Sequence, residues 1–378
     1  MFIFVYIYIQ LNYFFIRSDM RIALTYNVKK EEQVSIDTHG SIDRPATTSG
    51  PAAVASSLKR HDDTYAEWDS WETITALQQA IGLRHDVMMV EANEDAYEML
   101  RSMRPDFVFN IAEGYKGVSR EAQIPAMCEL LQLPYLGSDP LTLSLCLDKA
   151  RTKEVLTYHK IPNASFFICD DSSSLNGHAL SYPKMVKPLH EGSSKGIYNT
   201  SMVHSYTELK DEVERITVRY GQPALVESFL PGREFTVAIM GNGSTTRALP
   251  IVEINYDSLP EGVNPIYSFE AKWVWDTPDQ PLEIFTCPAK VDPALQRAVE
   301  TICVDTYRIL RCRDWSRIDV RLDEHNTPHI IEVNPLPGIL PNEDDNSCFP
   351  KAARAAGMSY QELILTVIDI SKERWGIL

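Results

Sequence analysis

The chain has no C-x-x-C pair. Its seven cysteines, Cys128, Cys146, Cys169, Cys287, Cys303, Cys312 and Cys348, are odd in number and scattered. That argues against a disulfide framework and a zinc site, and fits free thiols in a reducing cytoplasm. Positive charge is also scarce: 36 Lys and Arg stand against 52 Asp and Glu, a net charge of −16. So acidic a surface repels phosphate backbones and anionic lipid, which disfavours nucleic acid and membrane as partners. A local basic cleft for a small anionic ligand remains open. There is no internal repeat and no low-complexity tract. The longest apolar stretch, MFIFVYIYIQLNYFFIR, is short for a membrane helix and is interrupted by Gln10 and Asn12. It also lacks the basic start and small-residue cleavage site of a signal peptide. Met20 then opens MRIALTY, so residues 1–19 read as an extension ahead of the true start, with a weak membrane anchor as the alternative.

What is present is ordinary for a soluble protein: 378 residues, 44% hydrophobic and 23% charged, enough for two or three domains. RIALTY reads as a buried strand and residues 27–64 as a long polar loop. Trp71, Ile74, Leu77 and Ile81 recur at helical spacing behind Ser70, a natural N-cap. DVMMVEA, a helix near 94–103 and DFVFNIA follow, and strand-helix-strand-helix-strand predicts an open parallel sheet. Helices are expected over 120–133 and 148–159. A second unit holds YPKMVKPL, the loop HEGSSKG, a helix near 206–219 and ALVESFL. A third begins with EFTVAIMG, whose alternation suggests a half-buried strand. It continues through an irregular stretch from Asn255 to Gln280, a helix over 293–310, two strands and a last helix over 359–373. The expected division is 1–19 extension, 20–147 N-terminal α/β domain, 148–227 central subdomain and 228–378 C-terminal subdomain.

The two late strands, RIDVRL and HIIEVN, carry the chemistry. Side chains alternate along a strand, so Arg317, Asp319 and Arg321 share one face, as do Glu332 and Asn334. If His325 and Asn326 form a two-residue hairpin loop, Asp319 lies opposite Glu332 and Arg317 opposite Asn334. Two opposed carboxylates repel unless a cation lies between them. Two carboxylates and an amide oxygen form a hard donor set suited to Mg²⁺ with phosphate oxygens. A solvated polar face is the commoner reading for one strand; the buried character of both strands favours the metal. Arg317 beside them can hold an anion or a developing oxyanion.

Other residues point to phosphate. HEGSSKG offers backbone N–H groups and hydroxyls that can cradle it. Lys187 sits inside the apolar run MVKPL, where an edge or snorkelling lysine is usual and a phosphate contact the sharper reading. Lys149 follows Asp148 at a helix start, and Glu227 and Glu234 bracket SFLPGR.

With these residues together, the chain resembles the ATP-grasp ligases and, within them, the D-alanine–D-alanine ligases. The matching segments, FNIAEG, SRE, LPYLGSDPLTLSLCLDKARTK, MVKPLHEGSSKGI, VESFLPGREFTVAI, FEAKW, RDWSRIDVRL and IIEVNPLPG, lie between residues 106 and 340. The resemblance implies an α/β, three-domain ATP-grasp fold. An open parallel-sheet N-terminal domain would sit beside central and C-terminal α+β domains that hold ATP between them. It implies that Lys149 and Lys187 contact the α- and β-phosphates, and that Ser193 and Ser194 fold over them. Glu227 would face adenine, Glu234 the ribose and Lys272 the γ-phosphate. Asp319, Glu332 and Asn334 would bind two Mg²⁺ ions (Mn²⁺ can substitute), and Arg317 with the Gly338 N–H would stabilise an oxyanion. The implied reaction forms an acyl phosphate that an amine then attacks, in a cytoplasmic enzyme of peptidoglycan precursor synthesis acting on small amino acids. A homodimer is compatible with it.

The substrate half departs from the family. Glu67 is the nearest acid to the expected amino-group glutamate. Glu113 stands where a histidine is common, Trp273 where a tyrosine is common, and Glu343 near the expected carboxylate-binding serine. Three readings follow: a D-alanine–D-alanine ligase, an amino-acid ligase with a different acceptor, or a non-catalytic nucleotide sensor. The complete set of lysines and metal ligands disfavours the sensor.

Overall fold

The computed structural model describes residues 20–29, 63–175, 180–275 and 282–377. The expectations for residues 1–19 and for most of the 27–64 loop lie outside the described residues. Among the described residues, no helix is long and apolar enough to cross a membrane.

Strands β1 (Arg21–Tyr26), β2 (Asp86–Glu91) and β3 (Phe107–Asn110) form the expected parallel sheet in the order β2-β1-β3. Leu24 is in register with Met89 on one side and Phe109 on the other. Helix α1 (Trp71–Gly82) starts where predicted: the Ser70 hydroxyl accepts the Thr73 N–H at 3.3 Å. Ile74, Leu77 and Ile81 are buried, but Trp71 is exposed, its ring lying 5.7 Å from Tyr26. Helix α2 (Ala96–Met103) follows. The expected helix over 120–133 is shorter: a 3-10 turn at Arg120–Ala122 precedes α3 (Gln123–Leu131). Helix α4 (Pro140–Leu147) was not anticipated, although Asp139 caps it at the Thr142 N–H and Pro140 occupies its first turn. Its apolar residues lie all round the axis, so no period marks it. Helix α5 (Lys149–Tyr158) is capped by Asp148.

The central unit is an antiparallel sheet in the order β4-β7-β5-β6, comprising β4 (Phe166–Cys169), β5 (Lys184–Pro188), β6 (Met202–Val203) and β7 (Ala224–Ser228). Helix α6 (Tyr206–Tyr220) packs Leu209, Val213 and Ile216 into that unit's own core. The third sheet joins β8 (Glu234–Met240), β9 (Arg247–Ala248), β10 (Val252–Ile254), β11 (Phe285–Thr286), β12 (Trp315–Leu322) and β13 (Pro328–Asn334). All seven residues of β8 are buried, not half-buried as its alternation suggests. It runs between β10 and β12, and its polar face is covered by the site. Helices α7 (Pro293–Ile309), α8 (Cys348–Ala355) and α9 (Tyr360–Trp375) complete the chain. The stretch expected to be irregular from Asn255 contains a 3-10 turn at Tyr256–Ser258 and a π-helical turn at Ala271–Trp275; residues 276–281 lie outside the described ones.

One apolar cluster joins the N-terminal sheet to the third sheet: Leu24, Leu77 and Phe109 share it with Met240, Trp315, Phe349 and Leu363. A buried polar hub lies on the same boundary. Asp314, fully buried, accepts from Arg374 at 2.7 and 2.8 Å, from the Gly137 N–H at 2.8 Å and from Asn242 at 2.8 Å. Arg374 also donates to the Tyr135 carbonyl at 2.8 Å. Arg374→Met leaves Asp314 buried without its countercharge, and the expected cost is about 3–5 kcal/mol. Denaturant unfolding of the full chain checks this; a loss below about 1 kcal/mol would show that the hub does not hold the boundary.

Candidate active site

The opposition of Asp319 and Glu332 is observed, and so is that of Arg317 and Asn334. The turn between them is not the predicted one. Asp323 and Thr327 close it through the Asp323 N–H at 3.0 Å, leaving Glu324, His325 and Asn326 as a three-residue loop with Asn326 at a φ of 60°. Val320 consequently pairs with Ile330. An irregularity between Asp319 and Val320 then takes up Ile331 and restores the predicted register at the carboxylates. On the other side of β12, Asp319 lies opposite Thr236 and Arg321 opposite Glu234. Three strands therefore present one continuous polar face to a single cavity.

Every acid in that face has a basic partner. Arg317 grips both oxygens of Asp319 at 3.1 and 3.0 Å, and the Asn334 amide reaches Asp319 at 3.3 Å. Lys149 lies 3.0 Å from Glu332 and also donates to the Glu191 carbonyl. Burial alone would raise the pKa of Glu332, but Lys149, Lys187 and Arg317 hold it below the usual carboxylate range. Glu227, on β7, sits between Lys153 at 2.8 Å and Lys187 at 2.6 Å. Burial opposes ionisation there too, yet the two lysines pull its pKa down to about 2. Glu234 accepts from Arg321 and from the Tyr256 hydroxyl, each at 2.7 Å; burial still leaves its pKa raised. Lys149 and Lys187 are thus buried and cavity-facing, neither solvated nor at a sheet edge.

The loop HEGSSKG bends over this face with Ser193 and Ser194 at φ values of 50° and 60°, a conformation that non-glycine residues adopt at a cost. Their N–H groups take no hydrogen bond among the described residues; nor does the N–H of Gly338. Gly192 permits a close approach: its N–H donates to Glu67 at 2.6 Å, and a Cβ there would lie 2.9 Å from the same oxygen. Glu67 also accepts from Arg120 at 2.8 and 2.9 Å. Trp273 reaches the loop through its indole N–H, which donates to the Ser193 carbonyl at 3.3 Å. Next to it, Lys272 is half-buried; loss of hydration, with Arg317 and Lys29 nearby, lowers its pKa to about 8.

Glu113 lines the cavity from the turn after β3, whose Gly114 is held by the Asn27 amide oxygen at 2.8 Å and the Trp68 indole at 3.0 Å. Burial, with Glu121 and Glu67 nearby, raises its pKa well above the ordinary carboxylate value. Burial also pushes Glu121 and Asp69 up to about 7. All the predicted site residues line the cavity except Glu343. Glu343 is exposed, and the serine near it that does line the cavity is Ser347, which accepts the Leu340 N–H at 3.2 Å. The residues from Asn342 to Asn346 set it farther along the chain than the expected spacing.

Several site residues were missed. Arg321 was legible from the same alternation that placed Asp319. Lys153 is one turn beyond Lys149 on α5 and could have been found from that spacing. Asp69, Glu121 and Glu191 carry no local signal; only the folded chain brings them to the cavity.

The donor set fits the groups the sequence implies. Asp319, Glu332 and Asn334 supply hard oxygens; the two carboxylates are now held by Arg317 and Lys149, and the Asn334 amide donates to Asp319. Among the described residues no three His, Cys, Asp or Glu side chains are grouped to hold a metal. Protein oxygens alone would leave a magnesium shell incomplete, as expected for an ion that keeps phosphate and water ligands. The family described as D-ala D-ala ligase C-terminus matches residues 155–369. A D-alanine–D-alanine ligase of Bordetella petrii is 34% identical over 286 residues, covering 75% of this chain and 81% of that protein. The uncharacterized protein y4sG of Sinorhizobium fredii is 35% identical over 312 residues, 80% of this chain and 88% of that one. The crystal structure of a Bacillus anthracis D-alanine–D-alanine ligase complexed with ATP shares the fold at a TM-score of 0.65 and 20% identity, over 94% of this chain and 98% of that chain. By its matched length and these identities, the chain belongs to the D-alanine–D-alanine ligase family of ATP-grasp enzymes.

Proposed function

We propose that this protein joins two amino acids at the expense of ATP, by phosphorylating one carboxylate and letting the amine of the other displace phosphate. The observation that carries the reading is the opposed pair Asp319 and Glu332, each neutralised by a cavity-facing cation. ATP would lie between the β5–β7 and β8–β12–β13 faces. Lys149 and Lys187 would leave Glu332 and Glu227 to hold phosphate oxygens, and Lys272 would meet the γ-phosphate. Asp319, Glu332 and Asn334 would hold magnesium, which supplies charge neutralisation on the transferring phosphoryl group. Arg317 and the Gly338 N–H would hold the oxyanion formed when the amine attacks. Ser193, Ser194 and the 255–280 stretch would cover the phosphates and keep water from the acyl phosphate. The proposed domain boundaries fall at residues 20–147, 148–227 and 228–378.

D-alanine, the substrate in the relatives' names, is the first substrate to test. A second reading, an amino-acid ligase with a different substrate, is favoured by Glu113 and Trp273 and by the tie of Glu67 to Arg120.

The test is phosphate release from Mg-ATP by the full chain across single amino acids and pairs, with products identified by mass. Release with D-alanine and a dipeptide product supports the family substrate; no release with any amino acid sinks the ligase reading. Asp319→Asn and Glu332→Gln are each expected to lower turnover by about a thousandfold, the worth of several kcal/mol of charge stabilisation. Retained turnover in both would remove the metal assignment. The pH dependence is also fixed. Lys272 carries its charge below about pH 8 and loses it above. KM for ATP should therefore be flat below that pH and rise above it, and Lys272→Arg should abolish the rise because guanidinium stays charged.

A further inference from the structure

The cavity has an end that the phosphate chemistry does not use. Asp69, Glu113 and Glu121 line it on the side of the N-terminal sheet. None of the three carboxylates takes a hydrogen bond or ion pair among the described residues. The basic groups close by are committed elsewhere. Arg120 is bonded by Glu67 at 2.8 Å and lies 3.3 Å from Glu191; Lys195 lies 2.9 Å from Glu191. Lys29, the cation nearest Asp69, has its ammonium 4.2 Å over the Trp273 ring. Glu121 is only 9% exposed and lines the cavity, so its unpartnered carboxylate is largely withdrawn from bulk water and open chiefly to that space. A carboxylate in that position is costly unless a cation or donor reaches it.

Resting on the ligase reading, we infer that the amino acid bound at this end carries a second positive charge, as in a diamino or guanidino acid. Glu113 and Glu121 receive its side-chain cation, with Asp69 adding to the field. A metal ion is a poorer fit. Among the described residues the acids are not grouped closely enough for three to share one ion, which suits an extended organic cation better. The raised proton affinities of these acids point the same way, since a bound cation favours their ionised forms. A neutral side chain such as that of alanine would leave Glu113 and Glu121 facing apolar atoms. Discrimination against it needs no clash, because the polar groups of the site would go unmet.

The experiment is phosphate release from Mg-ATP by the full chain. D- and L-ornithine, 2,4-diaminobutyrate, lysine and arginine are compared with D- and L-alanine, each alone and in pairs. The expected result is a kcat/KM for one basic amino acid at least tenfold above that for alanine. Glu113→Gln and Glu121→Gln should each lower that ratio by tenfold or more; if one variant does not fold, by circular dichroism, the other reads the same ratio. Alanine turned over as well as every basic acid overturns the cation subsite and leaves the ligase reading standing. A basic-to-alanine ratio unmoved in the folded variants overturns the assignment to these glutamates. Absence of release with any amino acid removes the ligase reading and the subsite with it.

Discussion

The cleft depends on mutual neutralisation of charges that could not be buried singly. Lys149 with Glu332, Arg317 with Asp319, Lys153 and Lys187 with Glu227, and Arg321 with Glu234 all meet inside it. Removing one partner leaves an uncompensated charge away from water, which is far costlier than losing a surface ion pair. On the proposed reading, a nucleotide and its metal enter by exchanging partners. Phosphate takes over lysines that carboxylates held, and metal takes over carboxylates that lysine and arginine held. Neither exchange is favourable alone, because each half would strand charges of one sign. The arrangement thus explains why anion and cation would be bound together.

Much of this face was legible in the sequence because a strand has a period of two. Asp319, Glu332, Arg317 and Asn334 were placed on the right face and in the right opposition. The turn was misread by one residue, and the irregularity at Ile331 cancelled the error, a compensation no local rule announces. Helix α4 was missed because its apolar residues surround the axis, and β4 because its run is wholly apolar yet mostly only partly buried, so it shows neither alternation nor a core strand's burial. The misplacement of Glu343 has a different cause: its place was taken from the family's spacing, and the residue that reaches the cavity here is Ser347, farther along the chain. Residues brought in by distant elements, such as Asp69 and Glu191, had no signature to read.

The two ends of the cavity are built on different principles. The phosphate end is balanced, acid against base, by side chains on strands and α5. The substrate end is unbalanced, with acids on loops and turns whose geometry is set by backbone contacts such as that of Gly114 with Asn27. Strands hold the chemistry in place, while loops are where side chains change with least cost to the fold. A family can therefore keep its reaction and alter its substrate, and the departures at Glu113 and Trp273 lie where that freedom is greatest.

The core shared by the N-terminal and third sheets has a mechanical meaning. Phe109, Trp315 and Phe349 interlock edge to face, with ring centres 5.8 and 5.7 Å apart, across what topology would count as a boundary between units. Sliding one sheet past the other would expose closely packed aromatic surface, so these two sheets behave as a single stator. The four-stranded unit keeps its own core under α6. It is tied to residues 63–69 through Glu67 to Gly192 and Asp63 to Tyr220, and to the 264–273 stretch through Ser194 to the Tyr267 carbonyl, the Phe269 N–H to the Ile197 carbonyl and Asn264 to Asn199. The loop that carries Ser193 and Ser194 is therefore clamped from both neighbours, and its place over the cavity is set jointly by the chain on either side of it.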